Sequence, residues 1–261
     1  MLRKYPRTHH LEGSRLQPGD EDLNQVAFTH LHNRHLVVEE KLDGANTGIS
    51  FTPDGTLHLQ SRGHYLTGGP RERQFGPLKA WAATIQHALF DRIRDQYVVY
   101  GEWLYAKHTV FYDALPHYFC EFDILDLATN TFLATPQRAA LLDGLPIASV
   151  PVLHAGTVPS LNALTAYLGP STCRTHTWKD ALVDAAQGSG VDPTRALAET
   201  DLDDHMEGLY LKVEENGAVA ERYKWVRPTV LTAILDAGTH WMDRPIVSNR
   251  LVNPAVMYGT L

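Results

Sequence analysis

The chain has 261 residues, 44% of them hydrophobic, a formal net charge of -7 and two cysteines. That length and composition suit one large globular domain or two small ones with a sizeable core, and the acidic balance excludes a broad basic coat, so any polyanion must meet a local patch. Cys120 and Cys173 match no C-x-x-C spacing and read as buried, and the 14 histidines form no H-E-x-x-H or similar zinc spacing. No apolar run is long enough to span a bilayer and no apolar signal core opens the chain, which points to the cytoplasm.

Residues 1–35 are polar and punctuated, a loop-rich opening segment in which Gly13, Ser14 and Arg15 read as a turn able to help bind a phosphate. Val37 to Phe51 then reads V-V-E-E-K-L-D-G-A-N-T-G-I-S-F. This predicts a strand ending at Lys41, a tight loop through Gly44, Asn46 and Gly48, and a second strand from Ile49, a hairpin with Lys41 at its base. Such a lysine, beside an aspartate and a close-approach glycine, reads either as a nucleophile over which a phosphate can dock or as part of a surface hairpin with solvated charges, and the rest of the chain decides between them. T-P-D-G at 52–55 is a turn, and the alternating L-H-L-Q-S-R that follows delivers Arg62 to a glycine-rich loop carrying Arg71 and Arg73. An arginine cluster there suits terminal phosphates.

Leu78, Trp81, Ile85, Leu89 and Ile93 recur at helical spacing and predict an amphipathic helix between Phe75 and Gln96. Y-V-V-Y-G-E-W-L-Y (97–105) is an apolar strand that includes Glu102, a carboxylate costly to bury unless something pairs with it. Tyr118 to Asp126 reads as a buried strand centred on Phe122 and Asp123, and Thr135-Pro136 opens a short helix closed by Gly144. From about 145 to 205 short helical pieces at 160–168, 178–187 and 193–199 suggest an irregular helical insertion. Order returns in M-E-G-L-Y-L-K-V (206–213) and V-A-E-R-Y-K-W-V-R (219–227), joined by a hairpin turn. Period two puts Arg222 and Lys224 on one face and Tyr223 and Trp225 on the other. A final helix from about Pro228 to Ala237 ends the regular structure, with no internal repeat or clear domain boundary.

The ordered set K-L-D-G-A-N, S-R-G, Y-G-E-W, F-D-I, E-G-L-Y-L-K and R-Y-K-W, running from about 37 to 227, resembles the covalent nucleotidyltransferase superfamily of ATP-dependent RNA and DNA ligases and mRNA-capping enzymes. Asn46 and the Arg62 loop make it most similar to the RNA ligases. Residues 228–261 are too few for a following five-stranded OB-fold, which points the same way.

The resemblance implies an α+β fold, the nucleotidyltransferase (ATP-grasp-like) ligase catalytic domain, with two mainly antiparallel sheets around a nucleotide cleft, flanked by helices, and one domain over 1–261. It implies ATP and Mg²⁺ or Mn²⁺ as cofactors, and RNA with 5′-phosphate and 3′-hydroxyl ends as the partner, with a separate end-healing kinase or phosphatase alongside. Lys41 is the implied nucleophile, its pKa depressed by desolvation, the metal and Lys224. Glu207 is the implied metal-associated carboxylate, with Lys224 and Arg222 at the α-phosphate and Lys212 sharing that work. Glu102 is expected at the ribose, Phe122 stacked on adenine, and Glu40 at the base edge. Asn46 and Arg62 would orient the nucleic-acid ends, extended by Arg71 and Arg73. One departure stands out: Arg222 occupies a position commonly held by lysine, which keeps the charge but loses the compact ammonium. The alternatives are a DNA ligase, a GTP-using capping-type enzyme, or a low-turnover end-binding subunit of a repair complex.

Overall fold

The structure is a computed structural model. It describes residues 2–16, 25–230 and 244–258, apart from the side chains of Pro70 and Arg71. In chain order the strands are β1 (His9–Leu11), β2 (Gln25–Val26), β3 (Leu36–Lys41), β4 (Ala45–Phe51), β5 (Leu57–Ser61), β6 (Tyr97–Trp103), β7 (Phe119–Asp126), β8 (Thr131–Leu133), β9 (Ala148–Ser149), β10 (Val152–Gly156), β11 (Gly208–Glu215) and β12 (Ala218–Val226). The helices are α1 (Gly76–Ile93), α2 (Thr135–Leu142), α3 (Leu161–Thr165), α4 (Trp178–Gly188) and α5 (Pro193–Ala198). The strands pair in the order β10-β3-β11-β12-β8-β7-β6-β4-β5, with β1 beside β12, β2 beside β1, and β9 beside β7. Pairing is antiparallel except where β1 meets β12 and β2, and where β9 meets β7.

β3 and β4 flank the K-L-D-G turn but do not pair, so the expected hairpin is not formed. β3 pairs with β10 and β11, while β4 pairs with β5 and β6, and the second strand begins at Ala45 rather than Ile49. The turn therefore carries the chain from one half of the fold to the other. The two expected sheets are these halves, and short β8 joins them by pairing with both β7 and β12.

Each half is held by an apolar face. The helical stripe of α1 buries Leu78, Trp81, Ile85, Leu89 and Ile93 against Ile49, Phe51, Val99, Phe119 and Ile124, as its spacing requires. On the other half, Val38, Leu209, Leu211, Val213 and Tyr223 form a second core with Leu11, Phe28 and Leu31. A third cluster, with Tyr5, Tyr100, Cys120, Phe122 and Cys173, lies on the face of β6 and β7 turned away from α1. Both cysteines are buried and unbonded to each other.

The region from 145 to 205 contains the three short helices expected, but also β9 and β10, the latter closing one sheet edge against β3. Pro151 interrupts the stretch and hides the strand pattern, although its carbonyl accepts from the Glu40 N–H at 2.9 Å. The expected final helix lies outside the described residues from 231 on. Among the described residues no helix is long and apolar enough to cross a membrane.

Candidate active site

Lys41 ends β3 on the face it shares with Glu39, and the register continues that face through Tyr210 and Lys212 on β11 to Lys224 and Arg222 on β12. The Lys41 Nζ donates to Glu207 Oε2 at 2.6 Å, with the lysine side chain 20% exposed and the glutamate 2%. Glu207 stands just before β11, where Gly208 pairs with Lys41 and with Val226. A Cβ on Gly208 would lie 2.1 Å from the Trp225 carbonyl oxygen, so only glycine lets these strands approach beside the lysine.

The turn after Lys41 is fixed from the opposite half. Asp43 Oδ2 accepts from the N–H groups of Thr109 and Val110 at 2.7 and 2.8 Å, and the Asp43 N–H donates to Tyr112 Oη at 2.8 Å. A Cβ on Gly44 would lie 2.6 Å from the Trp103 carbonyl oxygen, and the Gly44 N–H donates to Glu102 Oε1 at 3.1 Å. The aspartate and glycine of the motif thus anchor the turn, while Glu102 comes to the lysine from β6. Asn46 sits in register with Glu102 on the neighbouring strand.

Burial lowers the Lys41 pKa, but the charges of Glu207, Asp43 and Glu102, with the Glu207 hydrogen bond, outweigh it and hold the ammonium above the usual lysine value. With the protein groups alone the shift thus runs upward, because three carboxylates crowd the amine, whereas the expected depression counted on a divalent metal as well. Burial, reinforced by Glu207 and Asp43, pushes the Glu102 carboxyl up to about 8 against the pull of Lys41. From an ordinary value of 4.5 up to about 8, the folded protein holds a proton at Glu102 that the unfolded chain has released. Stability should therefore decline as pH rises through that window, since the native state binds more protons there. Glu102→Gln is expected to flatten this decline in urea unfolding followed between pH 5 and 8, and an unchanged slope would contradict the assignment.

Several expected site residues stand elsewhere. Glu40 is turned to the opposite face of β3, where it accepts from Ser171 Oγ and Thr172 Oγ1, both at 2.6 Å, and from the Thr172 N–H at 3.0 Å. It clamps the 171–172 loop behind the nucleophile strand and does not face the cleft. Lys212 is fully buried, paired with Glu39 at 2.9 Å and Asp123 at 3.4 Å, and it donates to the Phe122 carbonyl. Arg222 donates to Asp123 Oδ2 at 2.8 Å and lies over the Phe132 ring at 3.7 Å. Both cations help neutralise a buried carboxylate network, Lys212 from a fully buried position and Arg222 from a half-buried one.

The network also holds Arg138, which the sequence gave no reason to single out. Its Nη2 donates to Glu39 Oε1 at 2.9 Å and its Nη1 to Glu121 Oε1 at 2.8 Å. Phe122, the bulge residue between Glu121 and Asp123, is fixed by this network, with its ring 6.2 Å from Tyr210 and 5.1 Å from Tyr5. Lys224 remains on the cleft face and draws down the Glu207 carboxyl, which burial pushes up. Arg62 and Arg73 are exposed, and Arg62 acts on the Glu102 carboxyl. Their loop is tied to α1 through Glu72, which accepts from the Gly68 N–H at 2.8 Å and Lys79 Nζ at 2.7 Å. The Arg71 side chain lies outside the described residues. Among the described residues no cluster of three or more His, Cys, Asp or Glu side chains could hold a metal alone.

Lys41, the buried Glu207, the half-buried Glu102 and Lys224 thus meet where the turn after β3 crosses between the two antiparallel half-sheets. The RNA ligase family model matches residues 34–226, and the chain belongs to that family. Among solved structures it is similar to a mutant Naegleria gruberi RNA ligase with AMP and Mn, at 15% identity and TM-score 0.57, covering 90% of this chain and 59% of that one. A second mutant of that ligase, with ATP and Mn, matches at 15% identity and TM-score 0.53, covering 80% and 54%. An archaeal ATP-dependent RNA ligase matches at 18% identity and TM-score 0.51, covering 88% and 49%. At these identities the likeness establishes the fold, and the chain spans between about half and three-fifths of those chains. No curated protein matches the chain.

Proposed function

We propose that the protein is an ATP-dependent RNA ligase that joins 5′-phosphate and 3′-hydroxyl ends through a lysyl-AMP intermediate on Lys41, with residues 37–227 supplying the catalytic domain. The carrying observation is the contact of Lys41 Nζ with Glu207 at 2.6 Å, with Glu102 and Lys224 beside the same pair. The family membership and the nucleotide-bound ligases that share the fold support it.

In the first step the deprotonated Lys41 nitrogen forms a bond to the α-phosphorus of ATP. The bond to the bridging oxygen breaks, and pyrophosphate leaves with the electron pair. Lys224 stands on the same face to balance charge developing on the α-phosphate oxygens. Glu102, protonated over much of the neutral range, can donate as well as accept toward the ribose hydroxyls. The Glu39-Arg138-Lys212-Asp123 network holds Phe122, the residue expected under adenine, with its ring packed against Tyr5 and Tyr210.

A single hard carboxylate at Glu207 suits Mg²⁺ or Mn²⁺, which would complete its shell with phosphate oxygens and water. Bound there, the ion would screen the α-phosphate and withdraw the counter-charge that keeps Lys41 protonated. In the second step a 5′-phosphate oxygen of the RNA displaces Lys41 from the AMP phosphorus, and the amine is regenerated. In the third, the 3′-hydroxyl oxygen attacks the adenylated 5′-phosphate, its proton is lost, and AMP leaves. Asn46 and the exposed Arg62 and Arg73 serve the nucleic-acid ends. Ends of other chemistry would need a separate kinase or phosphatase.

The test is a label chase. ATP labelled at the α-phosphate should mark the protein, then the RNA 5′ end, and then appear as AMP when a 3′-hydroxyl strand is joined. GTP that labels equally well would turn the reading to a capping-type enzyme, and joining only of DNA ends would turn it to a DNA ligase.

A further inference from the structure

Residues 2–16, within the segment read from sequence as a loop-rich opening, form a strap whose Tyr5 and Thr8 meet Tyr210 and whose β1 pairs with β12, and its exposed side chains have no part in the chemistry above. It is buttoned at three points. The Arg3 carbonyl accepts from Gln60 Nε2 at 2.7 Å and Tyr100 Oη at 2.8 Å, which fixes the strap to β5 and β6. Tyr5 is buried between the halves, its hydroxyl 2.6 Å from Tyr210 Oη and donating to Asp123. β1 then runs parallel to β12, with His10 in register with Lys224.

The third button is the Gly13-Ser14-Arg15 turn. Ser14 Oγ is 2.7 Å from the buried His10 Nδ1 and accepts from the Val226 N–H at 3.0 Å. The Arg15 N–H donates to the Val226 carbonyl at 3.2 Å, and Gln25 Nε2 donates to the Ser14 carbonyl at 2.6 Å. Val226 pairs with Gly208, and Gly208 with Lys41, so Arg15 is carried at the same end of the sheet as the nucleophile.

Between these buttons the strap turns its charges outward. Arg3, Lys4, Arg7 and Arg15 are exposed, against one carboxylate, Glu12, which accepts from the Phe28 N–H at 2.9 Å. Four cations in thirteen residues stand out on a chain of net charge -7. At its start the strip is tied to Gln60, two residues before the exposed Arg62, and at its end it is tied to Val226, whose partner Gly208 pairs with Lys41.

We propose that this N-terminal strap is an RNA-backbone binding surface, its exposed cations engaging successive phosphates of the strand whose end enters the cleft while Tyr5, His10 and Ser14 hold it rigid. The inference rests on the reading of the protein as an RNA ligase only for the identity of the strand. An extended cationic strip on an otherwise acidic protein is the footprint of a polyanion, and a rigid mounting lowers the ordering cost of binding. An anionic membrane surface shares this charge chemistry and is separated from RNA by the vesicle arm of the test.

The experiment compares the full-length protein with Arg3→Gln, Lys4→Gln, Arg7→Gln and Arg15→Gln, singly and combined, for binding a 5′-phosphorylated single-stranded RNA over a range of salt. Each lost phosphate contact should make the slope of log K against log salt shallower by about 0.7, and the combined variant should bind at least about 10-fold more weakly at low salt. Lysyl-adenylate formation from ATP should stay within about twofold of the parent, because the buried anchors are untouched. Unchanged affinity and slope in the combined variant would overturn the proposal. So would an equal fall in adenylation, which would make the strap a structural brace, or lost binding to anionic vesicles with RNA binding intact. If the parent forms no lysyl-adenylate yet only the combined variant loses RNA, the ligase reading fails while the strap stands.

Discussion

Glu207→Gln is expected to lower the rate of lysyl-adenylate formation at least about 100-fold, a loss of about 2.7 kcal/mol in transition-state stabilisation. Two effects oppose each other in this variant. Glutamine removes the charge that holds Lys41 protonated, so more of the amine becomes nucleophilic. Under the proposed reading it also removes the hard anionic group that would hold a divalent cation, 2.6 Å from Lys41 Nζ, and with it the charge screening such a cation gives to phosphoryl transfer. Screening should win, because a better nucleophile gains little against an uncompensated triphosphate. The amide is isosteric and can still accept from Lys41, so thermal unfolding should move by only a few degrees. Single-turnover adenylation across Mn²⁺ concentrations decides the matter: a rate equal to or above that of the parent would show that proton removal, not cation binding, is the role of Glu207.

Arg138→Ala should destabilise the fold by about 3–5 kcal/mol, with a fall in Tm of roughly 10 °C. Glu39, Glu121 and Asp123 are buried carboxylates balanced by Arg138, Lys212 and Arg222, all in one hydrogen-bonded network. Among the described residues, removing Arg138 leaves Glu121 with the Ser149 hydroxyl, at 3.0 Å, and the longer-range charge of Lys212, so a negative charge loses its direct counter-ion out of water. Burial already pushes the Glu121 carboxyl up, and Arg138 opposes this. Without the arginine its folded-state pKa should climb further, so the defect should shrink as pH falls and the group takes up a proton in the folded state. Urea unfolding at pH 7 and pH 5 measures both. A loss below about 1 kcal/mol at pH 7, or one that grows on acidification, would contradict the network as described.

What the sequence made legible follows the range of the interactions involved. The α1 stripe, the β11-β12 hairpin and the strand ending at Lys41 are set by local periodicity, and they stand where that periodicity puts them. The motif also marked Glu102 and Glu207, which lie 58 and 166 residues from the groups they contact at the K-L-D-G turn. The resemblance put Glu40 at the base edge, whereas strand alternation turns it from the Lys41 face toward Ser171 and Thr172. Lys212 and Arg222 read as phosphate ligands because their partners, Glu39 and Asp123, are 173 and 99 residues away and leave no local trace. The strap was hidden for the same reason: Ser14 meets Val226 across 212 residues, and polar residues that pair so far away look like loop. The three carboxylates that the fold gathers around Lys41 likewise come from distant parts of the chain or the turn after it, and their charges outweigh the desolvation that the sequence reading counted on.

The most direct measurement is incubation of the full chain with α-phosphate-labelled ATP and Mn²⁺, followed by denaturing electrophoresis beside Lys41→Ala. A covalently labelled band in the parent that is absent from the variant is the predicted result, because Lys41 is the amine placed against Glu207, Glu102 and Lys224. A band of equal intensity in Lys41→Ala, or no band in the parent after bound AMP has been removed, would contradict lysyl-adenylate chemistry at this site.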